Sequence, residues 1–311
     1  MEELNLNLIP AAPAGFCSGF VGIVGRPNVG KSTLMNYLVG QKIAITSPVA
    51  QTTRNRLRGI LTTPTAQIIF VDTPGIHKPH HELGRVLVQN AQMAISSVDA
   101  TLFVVDGTGT AGRGDRFVVD LLERSQTPVI LGINKIDQQS QEAEAINQSY
   151  LDIAAAHQWP AQKFSALTGE GLEPLQALLI QQLEPGPYYY PPDLVTDQPE
   201  RFIMGELIRE QILEHTREEV PHSVAISIDR VEEEEETITR VLATVHVERS
   251  SQKGILIGKG GSMMKIIGSA ARQQIQKLIA GKVYLELFVK VQPKWRQSRS
   301  RLADLGYRVE S

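Results

Sequence analysis

One eight-residue segment, Gly25–Ser32, constrains the fold of this chain more than any other part of the sequence. It reads Gly-Arg-Pro-Asn-Val-Gly-Lys-Ser, follows the apolar run 20–24 and precedes a segment whose apolar residues recur at helical spacing. A strand, a Gly-rich turn and a helix in this order form a loop whose N–H groups surround phosphate, at the positive end of the helix dipole. The segment therefore predicts a nucleoside triphosphate site.

The residues of this loop have separate expected roles. Lys31 would reach the β- and γ-phosphates, and the Ser32 hydroxyl would coordinate Mg²⁺. The two glycines permit the bends that turn successive N–H groups inward. We predict nucleotide contacts for the segment and the residue after it: Gly25, Arg26, Pro27, Asn28, Val29, Gly30, Lys31, Ser32 and Thr33.

Two later segments supply groups that would sense the terminal phosphate. Asp72, Thr73, Pro74 and Gly75 end an apolar strand, so the carboxylate would hold a Mg²⁺-bound water and the glycine N–H would face the γ-phosphate. The polar loop 51–54 contains Thr53, which we expect to be the second protein ligand of Mg²⁺. The residues predicted to hold Mg²⁺ are therefore Ser32 and Thr53 directly and Asp72 through a bound water.

The histidines that follow, His77, His80 and His81, resemble a metal cluster by number alone. They have no acidic or cysteine partners at ligand spacing, which favours a solvated loop.

The base is predicted by two strings further along. Asn134-Lys135-Ile136-Asp137 ends an apolar run, and the Asp137 carboxylate can accept hydrogen bonds from N1–H and the amine of guanine. Adenine has no donors there, so such a site rejects it. Ser165, Ala166 and Leu167 would supply a backbone N–H to guanine O6. Because strand ends meet at the ligand-binding edge of an α/β sheet, the nucleotide is predicted to be GTP.

Composition sets the broad class of the chain. Hydrophobic residues make up 42% and charged residues 21%, as in ordinary globular proteins. The single cysteine, Cys17, excludes an internal disulfide and fits a reducing compartment. The N-terminus lacks a signal-peptide pattern and no apolar run reaches membrane-spanning length, so we expect a cytoplasmic protein. Residues 1–18 are predicted to be a flexible leader, and 19–184 the nucleotide-binding domain.

The second half has a different pattern. A proline-rich stretch, 185–200, predicts a linker, and 201–311 a second domain. Residues 249–308 carry 13 Lys or Arg and two acidic residues, a net charge of +11, whereas the whole chain carries −3. The order helix, strand, strand, helix, Gly-x-x-Gly, helix, strand matches a type II KH domain, whose glycine loop presses against nucleic-acid phosphates. The predicted RNA contacts are Gly258, Lys259, Gly260, Gly261, Lys253, Lys265, Lys294 and Arg296.

Two aromatic features of this half leave alternatives open. The linker tyrosines 188–190 could stack on bases or pack between domains, and Trp295 could stack on a base or anchor the core.

Together these strings resemble the Era-like GTPases, a group of translation-factor-like GTPases that carry a KH domain at this place. The resemblance implies an α/β P-loop GTPase, a three-layer sandwich with a mostly parallel sheet, followed by a smaller α+β type II KH domain. It also implies binding to the 3′ end of 16S ribosomal RNA and assistance in maturation of the 30S subunit. Members are found at the inner face of the cell membrane, which here would be a peripheral contact. We expect a monomer.

The resemblance also bears on catalysis. Ras-like enzymes place a glutamine after Asp-x-x-Gly to orient the attacking water, but this chain has Ile76 there. Relatives of this kind use an asparagine of the phosphate loop to hold K⁺, which implies this role for Asn28. The expected catalytic residues are then Lys31, Asn28, Thr53 and Gly75.

Three other interpretations fit parts of the sequence. A P-loop ATPase or nucleotide kinase would make Asp137 incidental, and a tRNA-modifying relative would share only the first half. A constitutive RNA-binding protein that uses GTP structurally would have an RNA affinity indifferent to GTP or GDP.

Overall fold

The computed structural model describes residues 9–47, 57–76, 82–234, 238–279, 281–305 and 307. Three predicted features lie wholly or partly outside these residues: the first eight residues of the leader, Thr53 with its loop, and the three histidines after Ile76. No helix in the described ranges is long and apolar enough to cross a membrane.

The first part of the chain alternates strands and helices around one six-stranded sheet. In spatial order the strands run β2-β3-β1-β4-β5-β6, and only β2 is antiparallel to its neighbour. The strands are β1 (Cys17–Val24), β2 (Leu57–Thr62), β3 (Ala66–Asp72), β4 (Ala100–Asp106), β5 (Val129–Asn134) and β6 (Ala161–Lys163). The helices are α1 (Lys31–Val39), α2 (Glu82–Ser96), α3 (Arg113–Leu122), α4 (Ala143–Ala156) and α5 (Leu172–Ile180).

Helices cover both faces of this sheet. Apolar residues of α1 and α5 form one core with β1 and β4, and residues of α2, α3 and α4 form another core on the other face. Because both faces are covered, the central strands are continuous apolar runs, and all seven residues of β3 are buried. The carboxyl ends of β1, β3, β4 and β5 therefore meet at one edge, where the predicted nucleotide strings lie.

The second part of the chain builds a three-stranded sheet in the order β7-β8-β9. The first pair is antiparallel and the second is parallel. Its strands are β7 (Ala225–Glu234), β8 (Ile238–Val247) and β9 (Lys282–Val291). Its helices are α6 (Glu200–His215), α7 (Ser250–Ile257), α8 (Ser262–Leu278) and α9 (Arg299–Asp304). Residues of α6, α7 and α8 pack on one face of the sheet and form its core.

The proline-rich connection packs on the first sheet. The Tyr188 ring lies 4.4 Å from Phe16 and the Tyr189 ring 5.2 Å from Phe20, measured between centroids. The Ile60 N–H donates to the Val195 carbonyl at the outer edge of β2 (2.9 Å). This favours the packing role for these tyrosines. The first strand begins at Cys17, so the last two residues of the predicted leader belong to the sheet.

The second part of the chain contacts the first part at two places. One place precedes the undescribed residues 48–56, and the other follows the undescribed residues 77–81. On one side, the buried carboxylate of Glu210 accepts from Lys42 Nζ (2.5 Å) and Thr46 N–H (2.9 Å), and Ile45 lies in the core of the second part. On the other side, the start of α2 packs against the C-terminal segment. That apolar cluster contains Leu83, Leu87, Ala225, Trp295, Leu302 and Tyr307.

Candidate nucleotide site and RNA groove

The phosphate loop is closed by its own lysine. Lys31 Nζ donates to the carbonyls of Gly25 (3.2 Å) and Arg26 (2.9 Å), and the side chain is almost wholly buried. Gly30 has φ +98°, and a Cβ there would lie 2.2 Å from the Asn134 amide nitrogen. Only glycine permits this approach of the loop to β5. The helix α1 begins at Lys31, so its N-terminus points into the loop.

Burial gives Lys31 an unusual proton affinity. Loss of hydration lowers its pKa from 10.5 to about 8, and the neighbouring Asp72 carboxylate offsets only part of this effect. A buried ammonium group of this kind is stabilised by an added anion. The loop is therefore suited to a phosphate ligand.

The predicted metal ligands that the structure describes lie together. Ser32 Oγ donates to Asp72 Oδ2 (3.0 Å), and Asp72 is fully buried at the end of β3. A hydroxyl and a carboxylate supply the hard oxygen ligands that Mg²⁺ prefers. The residues present therefore fit Mg²⁺.

The segment after Asp72 lies against the phosphate loop. The Thr73 hydroxyl donates to the Ile23 carbonyl (2.8 Å), and the Ile76 N–H donates to the Gly25 carbonyl (3.1 Å). A Cβ on Gly75 would lie 2.7 Å from the Pro27 nitrogen, so only glycine fits there. The Ile76 side chain is buried in the core between α2, α3 and the sheet. It therefore has no access to an attacking water, as its apolar chemistry predicts.

Asn134 joins three of the predicted strings. Its Nδ2 donates to the Val29 carbonyl (2.7 Å), and its Oδ1 accepts from the Ala166 N–H (2.9 Å). The Ala166 N–H is therefore already bonded, so contact with guanine O6 requires a shared hydrogen bond or a small shift of this loop. Asp137 lies in a short 3₁₀ turn with its side chain exposed.

Lys135 is bonded through its side chain to the last residue of β4. Its φ is +68°, and its Nζ donates to Asp106 Oδ2 (2.6 Å). Burial raises the pKa of the Asp106 carboxyl, but hydrogen bonds from Lys135 and Thr108 outweigh that effect and leave this pKa lowered. Asp106 thus acts as a charged support for the base loop, and sequence reasoning missed it. Its position at the end of β4, on the same sheet edge, was the available signal.

A second missed support holds the phosphate loop. Arg26 Nε donates to Asp115 Oδ1 of α3 (2.8 Å), and this carboxylate is fully buried. The other oxygen of Asp115 accepts from the Gly112 N–H at the start of the helix (2.9 Å). An ion pair to a buried acid therefore tethers the phosphate loop to α3. Burial, and the charge of the same Asp115 carboxylate, raise the pKa of the nearby Tyr150 to about 12.

A groove beside the Gly-x-x-Gly loop is the candidate RNA site. Gly258 has φ +71°, and a Cβ there would lie 2.8 Å from the Met263 nitrogen, so this position needs glycine. Residues 259–261 form a 3₁₀ turn that leads into α8, and Lys259 is exposed. The adjoining cavity has a volume of about 570 Å³. Its lining is Ile257, Gly261, Met264, Lys265, Gly268, Ser269, Arg272, Leu285, Leu287, Phe288 and Val289.

The predicted RNA contacts divide into two groups. Gly261 and Lys265 line the cavity, and Gly258, Lys259 and Gly260 form the loop at its end. Lys253 lies on α7, five residues before Gly258. Lys294 and Arg296 do not line the cavity. Arg296 instead pairs with Glu248 and donates to the His222 carbonyl (3.2 Å).

Trp295 lies away from the groove in the core, whereas Arg272 lies in the groove. Trp295 is fully buried, and its Nε1 donates to the Ser223 carbonyl (3.0 Å), so it anchors the core rather than stacking on a base. Arg272 lines the cavity and was missed by sequence reasoning. Its position seven residues after Lys265 places both cations on one face of α8, which was the available signal.

Comparisons with known proteins agree with both halves. A family model described as 50S ribosome-binding GTPase matches residues 20–135, and a KH domain model matches residues 219–296. GTPase Era of Nostoc sp. (strain PCC 7120) is 77% identical over 302 residues, covering 97% of this chain and 93% of that protein. This chain belongs to the Era family of GTPases. GTPase Era of Rippkaea orientalis is 70% identical over 311 residues, covering 100% of this chain and 99% of that protein.

Solved structures of Era have the same fold over nearly the whole chain. Era of Aquifex aeolicus, as a variant bound to GDP and AlF4⁻, matches with a TM-score of 0.89 at 37% identity. It covers 94% of this chain and 100% of that structure. Era in complex with MgGDPNP and nucleotides 1506–1542 of 16S ribosomal RNA matches with a TM-score of 0.90 at 38% identity, over 94% of this chain and 99% of that structure.

These findings confirm the predicted fold class and the predicted enzyme class. The chain is an Era-type GTPase with a P-loop nucleotide-binding part and a KH domain. Membership of this family rules out the ATPase, kinase and tRNA-modifying interpretations.

Proposed function

We propose that this GTPase is a molecular switch that binds the 3′ end of 16S ribosomal RNA through its KH domain and assists maturation of the 30S subunit. One observation carries the proposal: a single chain joins an interlocked guanine-nucleotide loop set to a basic groove beside a Gly-x-x-Gly loop. The related Era structure that holds both a GTP analogue and 16S ribosomal RNA supports it.

The phosphate loop would stabilise charge during in-line attack of water on the γ-phosphorus. Lys31 would exchange its bonds to the Gly25 and Arg26 carbonyls for phosphate oxygens. The N–H groups of the loop and of Gly75 would donate to the same oxygens. Guanine would lie against Lys135 and be recognised by Asp137, with Ser165, Ala166 and Leu167 closing the other side.

Ser32 and Asp72 would hold Mg²⁺, with Thr53 as the further predicted ligand. The ion supplies neutralisation of charge on the β- and γ-phosphate oxygens when it is bound. Because Ile76 is buried and apolar, no side chain at that position orients the water, so intrinsic turnover is expected to be slow.

K⁺ is proposed as the missing electrostatic element, with Asn28 as its protein contact. Asn28 has φ +64° at the outer turn of the phosphate loop, a conformation that asparagine tolerates better than most residues. We expect faster GTP hydrolysis in KCl than in NaCl, and loss of that difference in Asn28→Ala. Single-turnover rates in the two salts measure this, and equal rates for the unaltered enzyme would refute the K⁺ role.

The RNA site is proposed to be the cavity between α8 and β9, with the backbone of residues 258–261 against phosphates. Such a groove holds about four nucleotides of single strand. Lys253, Lys259, Lys265 and Arg272 would supply positive charge. Lys294 would add a phosphate contact outside the cavity, whereas Arg296 is engaged with Glu248.

Substitution of Lys259 tests this assignment. Binding of an oligonucleotide with the 16S 3′-end sequence, measured by fluorescence anisotropy from 50 to 200 mM salt, should weaken in Lys259→Ala. The slope of log affinity against log salt should fall by about 0.7, because one phosphate contact to a single strand is lost. Arg301→Ala is a control cation of the same basic stretch whose guanidinium is bonded to the Pro293 carbonyl. Unchanged affinity and slope in Lys259→Ala would place the groove elsewhere.

We propose further that the protein works as a cytoplasmic monomer and contacts the inner face of the cell membrane only peripherally. The basic stretch 249–308 would supply the charge for such a contact. Co-sedimentation with anionic vesicles, weakened by salt, is the expected sign, and no co-sedimentation at low salt would refute it.

A further inference from the structure

Strand β9 carries two half-exposed aromatic rings on the face of the second sheet opposite α6, α7 and α8. Burial alternates along β9: the odd-numbered residues from Val283 pack in the core, and the even-numbered ones face outward. Tyr284 is 50% exposed and Phe288 is 55% exposed. We propose that these two rings form a base-stacking platform that extends the RNA groove onto the outer face of the sheet. The inference rests on the proposed RNA-binding function.

The platform is continuous with the groove. Phe288 lines the groove cavity together with Leu287 and Val289, although its ring is also half exposed on the outer face. β9 is the outer strand of its sheet and pairs with β8 on one side. A single-stranded RNA that fills the cavity therefore meets Phe288 where it leaves the groove. Tyr284 lies four residues from Phe288 on the same face, with Glu286 between them.

Positive charge flanks the rings on the same face. Lys282 and Lys290 are exposed at the two ends of β9, and the Arg240 guanidinium lies 5.3 Å from the centre of the Tyr284 ring. Alternating cations and aromatic rings are the chemistry that binds single-stranded nucleic acid, since every base has a face to stack and every phosphate a charge to neutralise.

Acidic groups on this face of the sheet limit the path that a single-stranded RNA can take. Glu286 lies between the two rings, and Asp229 on β7 accepts from Ser227 and Thr244 (2.9 and 2.6 Å). Glu232 lies opposite Arg240 in the β7–β8 register. Asp229 and Glu232 would repel phosphates from β7, so the RNA backbone would follow β9. Glu286 could accept hydrogen bonds from base amines such as cytosine N4.

The spacing of the rings sets the length of RNA required. Residues four apart on a strand are about 13 Å apart, whereas stacked neighbouring bases are about 3.4 Å apart. The two rings would therefore hold bases that are not adjacent. With about four nucleotides in the groove, a strand of about eight or more is needed to reach both rings.

The length dependence gives a direct test on the full-length protein with a GTP analogue bound. Affinities for a four-nucleotide and a ten-nucleotide pyrimidine-rich RNA are measured by competition anisotropy. Tyr284→Ala should weaken binding of the ten-nucleotide RNA by about fivefold or more, and Tyr284→Ala/Phe288→Ala should weaken it further. Binding of the four-nucleotide RNA, which fills only the groove, should stay within about twofold of the unaltered protein in Tyr284→Ala, because Tyr284 does not line the cavity. Tyr189→Ala removes an equally exposed ring from the linker and should change neither affinity.

Two further variants separate stacking from loss of apolar surface. Tyr284→Leu/Phe288→Leu keeps bulky apolar side chains on β9 but removes the aromatic rings on which bases would stack. This variant should therefore also lose affinity for the ten-nucleotide RNA. Phe288→Trp should retain affinity, and its indole emission should be quenched by the long RNA.

Lys259→Ala distinguishes failure of the platform from failure of the groove, since it should weaken both RNA lengths. If Lys259→Ala weakens both but the ring variants bind the long RNA as tightly as the unaltered protein, the platform is refuted and the face is left to a protein partner. If Lys259→Ala has no effect either, the RNA groove itself is refuted, and the platform with it.

Discussion

At the scale of single residues, Lys31 shows how the nucleotide site is prepared for its ligand. Among the described residues, its ammonium group donates to two carbonyls of its own loop, and burial lowers its pKa to about 8 although Asp72 partly offsets this. A nucleotide brings several negative charges to within contact distance and favours the protonated form. The pKa of the lysine should therefore rise on binding, which couples binding to pH.

This coupling predicts proton uptake. Below pH 8 Lys31 is already protonated in the free protein, and above it the bound state holds the additional proton. Affinity for GDP should therefore fall as the pH rises through 8 and 9. Calorimetry at pH 9 in buffers of different ionisation enthalpy should detect uptake of about one proton. Lys31→Arg, which stays charged, is the control and should take up none; equal uptake by both proteins would contradict the burial argument.

At the scale of elements, the nucleotide site depends on how helices and strand ends hold its loops. The Arg26–Asp115 pair links the phosphate loop to α3, and the Lys135–Asp106 pair links the base loop to β4. Asp115 is fully buried, so loss of its partner leaves a carboxylate without its compensating charge. Each loop is therefore fixed from outside the sequence motif that defines it.

Arg26→Ala tests the tether to α3. We expect faster GDP release, by about tenfold, and a lower free energy of unfolding by about 1–3 kcal/mol, discounted because the Arg26 side chain is one third exposed. Release of a fluorescent GDP analogue and urea unfolding measure the two effects. Asp115→Asn keeps the bond to the Gly112 N–H and removes the buried charge. The double variant Arg26→Ala/Asp115→Asn should therefore recover the free energy of unfolding, whereas its GDP release should stay fast.

Arg116→Ala is the matched control for that experiment, since Arg116 is an exposed arginine one residue from Asp115. If it accelerated GDP release as much as Arg26→Ala, the effect would be one of general charge and not of the tether.

The elements show which features of the site can be predicted from the sequence and which cannot. The four nucleotide strings were predictable because each is short, local and placed at a strand end, and the order of elements predicted the KH domain. Asp115 was not found, because its role depends on which elements become neighbours. Asp106 and Arg272 carried only the weaker signals of a strand end and of helical spacing. The same holds for Arg296, whose pairing with Glu248 no local pattern indicates. Trp295 was undecided until the structure gave its indole N–H a buried partner.

At the scale of the whole molecule, the KH part contacts the first part on both sides of the nucleotide site. Glu210 holds the segment that leads into the undescribed loop 48–56, which contains Thr53. Arg299 donates to Glu82 (2.7 Å) at the start of α2, immediately after the undescribed residues 77–81. The Thr53 loop and Gly75, which precedes residues 77–81, are predicted to respond to the γ-phosphate, so a change at either place would reach these contacts. We infer that this is the route by which nucleotide state changes RNA affinity.

The most direct test of this account is RNA affinity in each nucleotide state. The account predicts tighter binding of a 16S 3′-end oligonucleotide with a GTP analogue than with GDP. In Lys42→Ala/Arg299→Ala, which removes one contact on each side, the ratio of the two affinities should fall toward one while GDP affinity is retained. Arg85→Ala, which removes the other arginine bonded to Glu82, should leave the ratio unchanged. Equal RNA affinity of the unaltered protein with GTP analogue and with GDP would contradict the account.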